Sequence, residues 1–323
     1  MRADPRPAPR VVSLLPGATD WLAAFGAAGL VVGRTHLCDA PGVAGARVLT
    51  ALPAGLGDTA PAIDASVRRS VEDGLSPFAL DLDALRALRP DLVVTQSTCG
   101  VCAPPLRDVA AALAGPTGPG PDVLDFAPAT LKQVLDAALD LGRRSGVLGD
   151  AMRTVADGER RLRTLADRVG GRRGARARPT VACVEWVDPP MTAGHWTPDL
   201  VEHAGARPVL SVSGARSRTA RWSEVAEADP DVLVVAACGR GVEASLADLA
   251  ACEPEWRALR AVATGRAFVL DGDRLFNRPG PSTVRSAEVL ASVVWGEAAG
   301  IVAGRDEAAP FSHVYPTRAG APA

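Results

Sequence analysis

The sequence predicts an α/β fold of two lobes, each built on a parallel sheet and joined by a long helical connector. Three observations predict it: apolar runs of strand length that alternate with helical patterns, a helix-to-strand unit repeated in the two halves, and a strand-poor helical stretch between them.

The first half contains the apolar runs Val11 to Leu15, Leu30 to Val32, Leu92 to Thr95 and Val123 to Phe126, each followed by turn residues and then a helical pattern. Continuous rather than alternating hydrophobicity marks strands covered on both faces, as in parallel sheets flanked by helices. The second half repeats the design with Thr180 to Val184, a shorter Pro208 to Leu210, Val232 to Val235 and Ala267 to Leu270. Leu85-Arg-Ala-Leu-Arg-Pro-Asp-Leu-Val-Val94 and Val225-Ala-Glu-Ala-Asp-Pro-Asp-Val-Leu-Val234 are counterparts. In both, proline ends a helix because it lacks an N–H and its ring clashes with the preceding turn, and the next residue leads into a buried strand. Between the halves, Leu131, Val134, Leu135, Ala138 and Leu141, then Met152, Val155, Leu162, Leu165 and Val169, fall at helical spacing with a break near Ser145-Gly146. The expected boundaries are an N-terminal lobe at 1–128, a connector at 129–172, a C-terminal lobe at 173–304 and a loose Ala-, Gly- and Pro-rich tail at 305–323.

Composition narrows the function classes. With 323 residues, 47% hydrophobic and 22% charged residues and a formal net charge of −2, the chain is an ordinary globular protein without the basic patch of a nucleic-acid binder. Met1 to Arg10 is polar and proline-rich, and Val11 to Leu15 is too short for a signal-peptide core, so the expectation is a cytoplasmic protein. In that compartment six cysteines read as thiols or ligands rather than a disulfide framework. Phosphate loops, zinc-protease helices, nucleophile elbows and dinucleotide fingerprints are absent, which argues against an enzyme.

Five segments in order carry a family resemblance: Arg10-Val-Val-Ser-Leu-Leu-Pro-Gly-Ala-Thr-Asp20, Val32-Gly-Arg-Thr-His-Leu-Cys-Asp-Ala-Pro41, Leu88-Arg-Pro-Asp-Leu-Val-Val94, Asp188-Pro-Pro-Met-Thr-Ala-Gly194 and Phe276-Asn-Arg-Pro-Gly-Pro281. Together they resemble the substrate-binding proteins of cobalamin and iron-chelate ABC importers, most closely the cobalamin-binding members. The resemblance implies two Rossmann-like lobes with a rigid helical connector, the class III substrate-binding-protein type. It also implies binding of a corrinoid, haem or iron chelate in an inter-lobe cleft, without chemical conversion. Importer-associated members carry a docking acid on each lobe; Asp83 stands at the first position, while Ser223, beside Glu224, stands at the second. The leading expectation is therefore a monomeric cytoplasmic binder of cobalamin or another corrinoid, with two alternatives: a metal or iron–sulfur protein using His36, Cys38, Cys99 and Cys102, and the conventional importer component partnered by an ABC permease.

Candidate site residues follow the strand ends, where open parallel sheets bind ligands. His36, Cys38, Cys99 and Cys102 lie after first-half strands; the Cys-x-x-Cys turn with a third thiol and an imidazole suits zinc or an iron–sulfur cluster, and the same groups could serve a corrinoid cobalt or haem iron as axial ligands. A redox dithiol at Cys99 and Cys102, or plain core thiols, are the other readings. In the second half, Glu185 to Trp196 is polar and proline-rich enough to be a wall. Trp186 and Trp196 are either platforms for a flat macrocycle or loop anchors, and His195 is either a ligand or a residue preceding a helix capped by Thr197. Trp222 and the loop Phe276, Asn277 and Arg278 complete the ligand-binding set; Arg278 offers a fork for a carboxylate or phosphate.

Overall fold

Valine and leucine runs at Val11–Ser13 and Leu92–Thr95 are buried along their whole length, as the central strands of a sheet covered on both faces must be. The computed structural model describes residues 8–51, 59–72, 79–97, 106–113, 120–170, 178–252 and 254–313. The chain divides into two compact units: Met1–Asp58, Ala62–Pro128 and Gln133–Asp157 form the first, and Thr59–Pro61, Ala129–Lys132 and Gly158–Ala323 form the second.

The first unit runs β1 (Val11–Ser13), α1 (Pro16–Ala24), β2 (Val31–Arg34), β3 (Arg47–Val48), β4 (Thr50–Ala51), α2 (Ala60–Glu72), β5 (Ala79–Leu80), α3 (Leu82–Ala87), β6 (Leu92–Thr95), α4 (Leu106–Leu113), β7 (Asp122–Asp125) and α5 (Leu131–Arg144). Its parallel sheet has the order β3-β2-β1-β6-β7, so the strand order reverses between β1 and β6. Val12, Leu14, Leu49, Leu85, Val93 and Val109 form a core on one face of it. The helical pattern breaks where expected, with Gly146 at φ +76° between α5 and α6 (Leu148–Gly170). A Cβ on Gly142 would collide with that of Ala151, so glycine lets α5 and α6 pass closely. The connector is α6 alone, which leaves the first unit at Asp157 and enters the second at Gly158.

The second unit contains β8 (Thr180–Val187), β9 (Pro190–Thr192), α7 (Thr197–His203), β10 (Arg207–Val209), β11 (Arg218–Thr219), α8 (Trp222–Ala228), β12 (Val232–Val235), α9 (Val242–Ala251), α10 (Arg260–Ala263), β13 (Ala267–Leu270), α11 (Ser282–Trp295) and β14 (Ala308–Pro310). One edge of β8 is shared: its first residues pair with parallel β10 and its last with antiparallel β9. The parallel core β10-β8-β12-β13 repeats the order β2-β1-β6-β7 of the first unit.

The repeated Pro-Asp signal has a physical basis beyond helix termination. Arg89 (φ +42°) and Asp229 (φ +38°) each hold a left-handed turn just before the proline. The following aspartates then tie neighbouring central strands together: Asp91 Oδ2 accepts from Arg10 N at 2.7 Å, and Asp231 Oδ2 accepts from Thr180 N at 2.8 Å. These bonds align the starts of β1 with β6 and of β8 with β12.

Two expectations need correction. Residues 308–311 do not belong to a loose tail: β14 pairs antiparallel with β13, and buried Phe311 meets Trp256 edge-on at 5.3 Å. Glu185, Trp186 and Val187 belong to β8 and turn through Asp188-Pro189 into β9, so the start of the expected wall is a hairpin. Among the described residues no helix is long and apolar enough to cross a membrane.

Candidate functional site

The strand-order reversals, between β1 and β6 and between β8 and β12, leave a crevice position at the carboxyl end of each sheet. In the first unit, His36 and Cys38 follow β2, but they are turned to different tasks. The Cys38 thiol is buried, 3.1 Å from both Thr19 Oγ1 and Thr35 Oγ1, and Thr19 in turn donates to Ser13 Oγ at 2.8 Å. Burial pushes this thiol's pKa up, against the smaller opposing effect of the threonine bonds, so Cys38 is a neutral hydrogen-bonded core thiol. Arg34 fixes the same turn by donating to Thr35 O at 3.2 Å and Cys38 O at 2.9 Å. His36 Nδ1 instead lies 2.7 Å from Thr50 Oγ1 on β4, with partial burial lowering its pKa. Cys99 and Cys102 lie outside the described residues. Among the described residues, no group of three or more His, Cys, Asp or Glu side chains could hold a metal ion, so the zinc or iron–sulfur site cannot be assembled from them.

In the second unit two of the predicted residues, Trp196 and Phe276, are joined by a bond between loops, and Trp186, Asn277 and Arg278 bond to other partners. Trp196 is buried, and its indole N–H donates to Phe276 O at 3.0 Å, joining the turn before α7 to the loop after β13. Asn277 Nδ2 donates to Ala236 O at 3.0 Å and to Gly272 O at 2.7 Å, joining that loop to the end of β12. Trp186 is also buried, its indole N–H donating to Asp188 O at 3.1 Å; Trp222 is buried at the start of α8. Each indole bonded in this way is held as a rigid apolar face with its polar atom satisfied. Arg278 is buried, its Nη2 3.2 Å from both carboxylate oxygens of Asp273, so its fork has an internal partner.

His195 occupies the most unusual position. Its backbone has φ +52°, and its N–H donates to Ala215 O at 2.7 Å while its carbonyl accepts from Gly214 N at 3.0 Å. A Cβ on Gly194 would collide with the Ala215 carbonyl, so glycine is needed for this close passage. Burial, then the charge of Arg216, lowers the His195 pKa and keeps the ring neutral at neutral pH. Thr197 does not cap α7 as expected: the helix begins at Thr197, its N-cap is Trp196, and no side chain closes it.

Several supporting residues escaped sequence reasoning. Arg240 makes a two-bonded ion pair with buried Asp248, at 2.8 and 2.9 Å, and its carbonyl accepts from Gly272 N and Asp273 N. Gly272 leaves no room for a Cβ against Ala237, and Asp271 opens the π-helical turn Gly272–Phe276 by accepting from Asp273 N and Arg274 N. Nothing in the spacing of Arg240 and Asp248 signals their pairing.

Residues 11–274 match the periplasmic binding protein family. The chain belongs to that family. This periplasmic binding protein resembles solved structures of the same fold. A periplasmic heme binding protein from Pseudomonas aeruginosa is 21% identical, with TM-score 0.64 and coverage of 88% of this chain and 92% of that chain. The periplasmic vitamin B12 binding protein BtuF of Vibrio cholerae is 19% identical, with TM-score 0.63 and coverage of 89% and 97%. Helicobacter pylori CeuE with Ni(II) bound is 18% identical, with TM-score 0.60 and coverage of 91% and 86%. At these identities the likeness establishes the fold. No curated protein sequence matches the chain.

Family membership corrects the expectation of a cytoplasmic protein, because the family and the heme and vitamin B12 binding proteins above are periplasmic. A cleavable export leader forms no part of a fold, so the polarity of the first residues weighs little beside a match spanning both units. Members bind solutes without transforming them, and this periplasmic binding protein is accordingly a non-enzymatic binder.

Proposed function

We propose that this periplasmic binding protein is the substrate-binding component of an ABC importer, with a metal chelate of corrinoid or haem size as its cargo. The reading rests above all on the family match over residues 11–274, which spans both parallel sheets. It is supported by the heme, vitamin B12 and Ni(II) named for proteins of the same fold. The second unit offers apolar support for such cargo: Trp186 and Trp196 are buried indoles whose N–H groups are already bonded, so they hold the strand-end segments around them rigid. The importer alternative thus replaces the intracellular corrinoid binder as the leading reading.

Docking to a permease is assigned to Asp83 on α3, whose side chain is 96% exposed and pairs with Arg86 at 3.2 Å. The second position is different: Ser223 is exposed, and Glu224 accepts from Arg218 Nη1 at 2.9 Å and Arg221 N at 3.1 Å, which engages its carboxylate at the start of α8. Deleting the gene is expected to abolish uptake of a radiolabelled metal chelate, and Asp83→Arg to impair uptake while leaving binding by the purified protein intact. Undiminished uptake of haem, cobalamin and ferric chelates in the deletion strain would contradict the proposal.

A further inference from the structure

Arg240 stands between two glycines, Gly239 at φ +68° and Gly241, in the turn that follows β12. A Cβ on Gly241 would meet nothing within 4 Å, so no packing at that position directs the chain. Glycine leaves the backbone free to rotate, and the local sequence does not by itself decide where the Arg240 carbonyl points. That carbonyl nevertheless meets two donors, Gly272 N at 3.1 Å and Asp273 N at 3.2 Å, at the start of the π-helical turn Gly272–Phe276. What fixes Arg240 is its side chain. The guanidinium grips Asp248 of α9 through Nε and Nη2, at 2.8 and 2.9 Å, and the Asp248 side chain is only 4% exposed. Two parallel bonds from a planar fork set direction as well as distance. The π-helical turn ends at Phe276, whose carbonyl accepts from the Trp196 indole at 3.0 Å. Asp248 therefore stands at the far end of a chain of contacts that runs through Arg240 and the turn to the segment before α7, all within the second unit. Asp271 and Asn277 brace the same turn, through Asp273 N, Arg274 N and the Gly272 carbonyl, but these bonds do not tie it to α9.

We propose that Asp248 is a positioning residue for cargo binding: acting through Arg240, it sets the π-helical turn after β13 and with it the Trp196 anchor. This rests on the reading of the strand-end segments as the cargo site, and it adds a residue outside those segments that governs how tightly cargo is held. A buried ion pair often adds little stability over an apolar pair of similar volume, so what this one supplies is direction.

The test uses the purified full chain, Asp248→Asn, and the double variant Arg240→Met with Asp248→Leu, which removes the fork without leaving a buried charge unpaired. Hydrogen exchange of the indole N–H groups is followed by nuclear magnetic resonance without cargo, and ferric protoporphyrin IX and aquocobalamin are then titrated in. Trp295, whose indole donates to Ala204 O at 2.8 Å in the same unit, is the internal control. Both variants are expected to speed exchange at Trp196 about fivefold or more and to leave Trp295 unchanged. Binding of the macrocycle that the natural protein takes is expected to weaken roughly 2- to 30-fold. Unchanged exchange at Trp196 in both variants overturns the assignment, and so does exchange that rises equally at Trp295, which marks a general loss of stability. Faster exchange at Trp196 with undiminished binding overturns its bearing on cargo. Faster exchange at Trp196 alone, in a protein that binds neither macrocycle, upholds the route from Asp248 to Trp196 and contradicts the chelate reading instead.

Discussion

Asn277→Ala removes the two bonds that fasten the loop after β13 to its neighbours, at 3.0 Å to Ala236 O and 2.7 Å to Gly272 O. Both partners are carbonyl oxygens, so the amide nitrogen must face them and the side chain can act only as a donor there. Each bond contributes about 1 kcal/mol net, and a carbonyl left buried without a donor adds to the loss. Gly272 O keeps a main-chain bond from Asn277 N at 3.2 Å, which limits that addition, so the expected cost is about 2 kcal/mol. For a unit of this size that is a fall of roughly 4 to 8 °C in melting temperature. Asn277→Asp keeps the shape but sets a carboxylate against two carbonyls, and it should be at least as destabilising as alanine. Tryptophan fluorescence during thermal unfolding is the assay, since Trp186, Trp196, Trp222, Trp256 and Trp295 all lie in the second unit. A shift of under about 1 °C for Asn277→Ala, or an aspartate variant more stable than the alanine variant, would refute the reasoning.

Other consequences are equally direct. The Asp231 carboxyl is held below its usual pKa first by the Thr180 main-chain N–H and then by the Thr180 hydroxyl and Arg260. Its stabilisation is complete above the ordinary aspartate value of about 3.9 and is lost as pH falls through the depressed folded value, so the melting-temperature gap to Asp231→Asn should close in acid. A gap that is constant from pH 7 to pH 3 contradicts this. Phe311→Ala should cost about 3 kcal/mol or more and shift Trp256 emission to longer wavelength, because Phe311 is buried edge-on against that indole; a loss below about 1 kcal/mol in urea unfolding would show that the C-terminal strand is dispensable. Alkylation of the native protein followed by peptide mass spectrometry should modify half-exposed Cys238 well before buried Cys38 and Cys183, the last with its pKa pushed up to about 12 by burial. Equal labelling of Cys38 and Cys238 would show that Cys38 is open to a ligand.

The central strands were legible because Val11 to Ser13, Leu92 to Thr95 and Val232 to Val235 are continuous apolar runs, and burial on both faces leaves few other residue choices. The Pro-Asp repeat disclosed the internal duplication, yet not the role of its aspartates, whose partners Arg10 and Thr180 are 81 and 51 residues away in sequence. Tertiary pairing also hid the C-terminal strand: Ala308–Pro310 has weak strand propensity and is ordered by the exposed edge of β13. Trp196 and Phe276 meet through one bond because each lies in a segment that follows a strand, and such segments gather at one end of a parallel sheet. Spacing misleads at His36-x-Cys38, where two potential ligands two residues apart are separated by the fold, one into a threonine-lined core and one onto Thr50. His195 was visible as a residue but not as a strained one, since φ +52° depends on the distant carbonyl of Ala215.

Binding itself is the decisive property of this periplasmic binding protein. Isothermal titration of the purified chain against ferric protoporphyrin IX, aquocobalamin, diaquocobinamide and ferric chelates, with sugars and amino acids as controls, measures it most directly. Saturable one-to-one binding of at least one metal chelate, with none of the controls, is the predicted result; binding of a sugar or amino acid and of no metal chelate would contradict it.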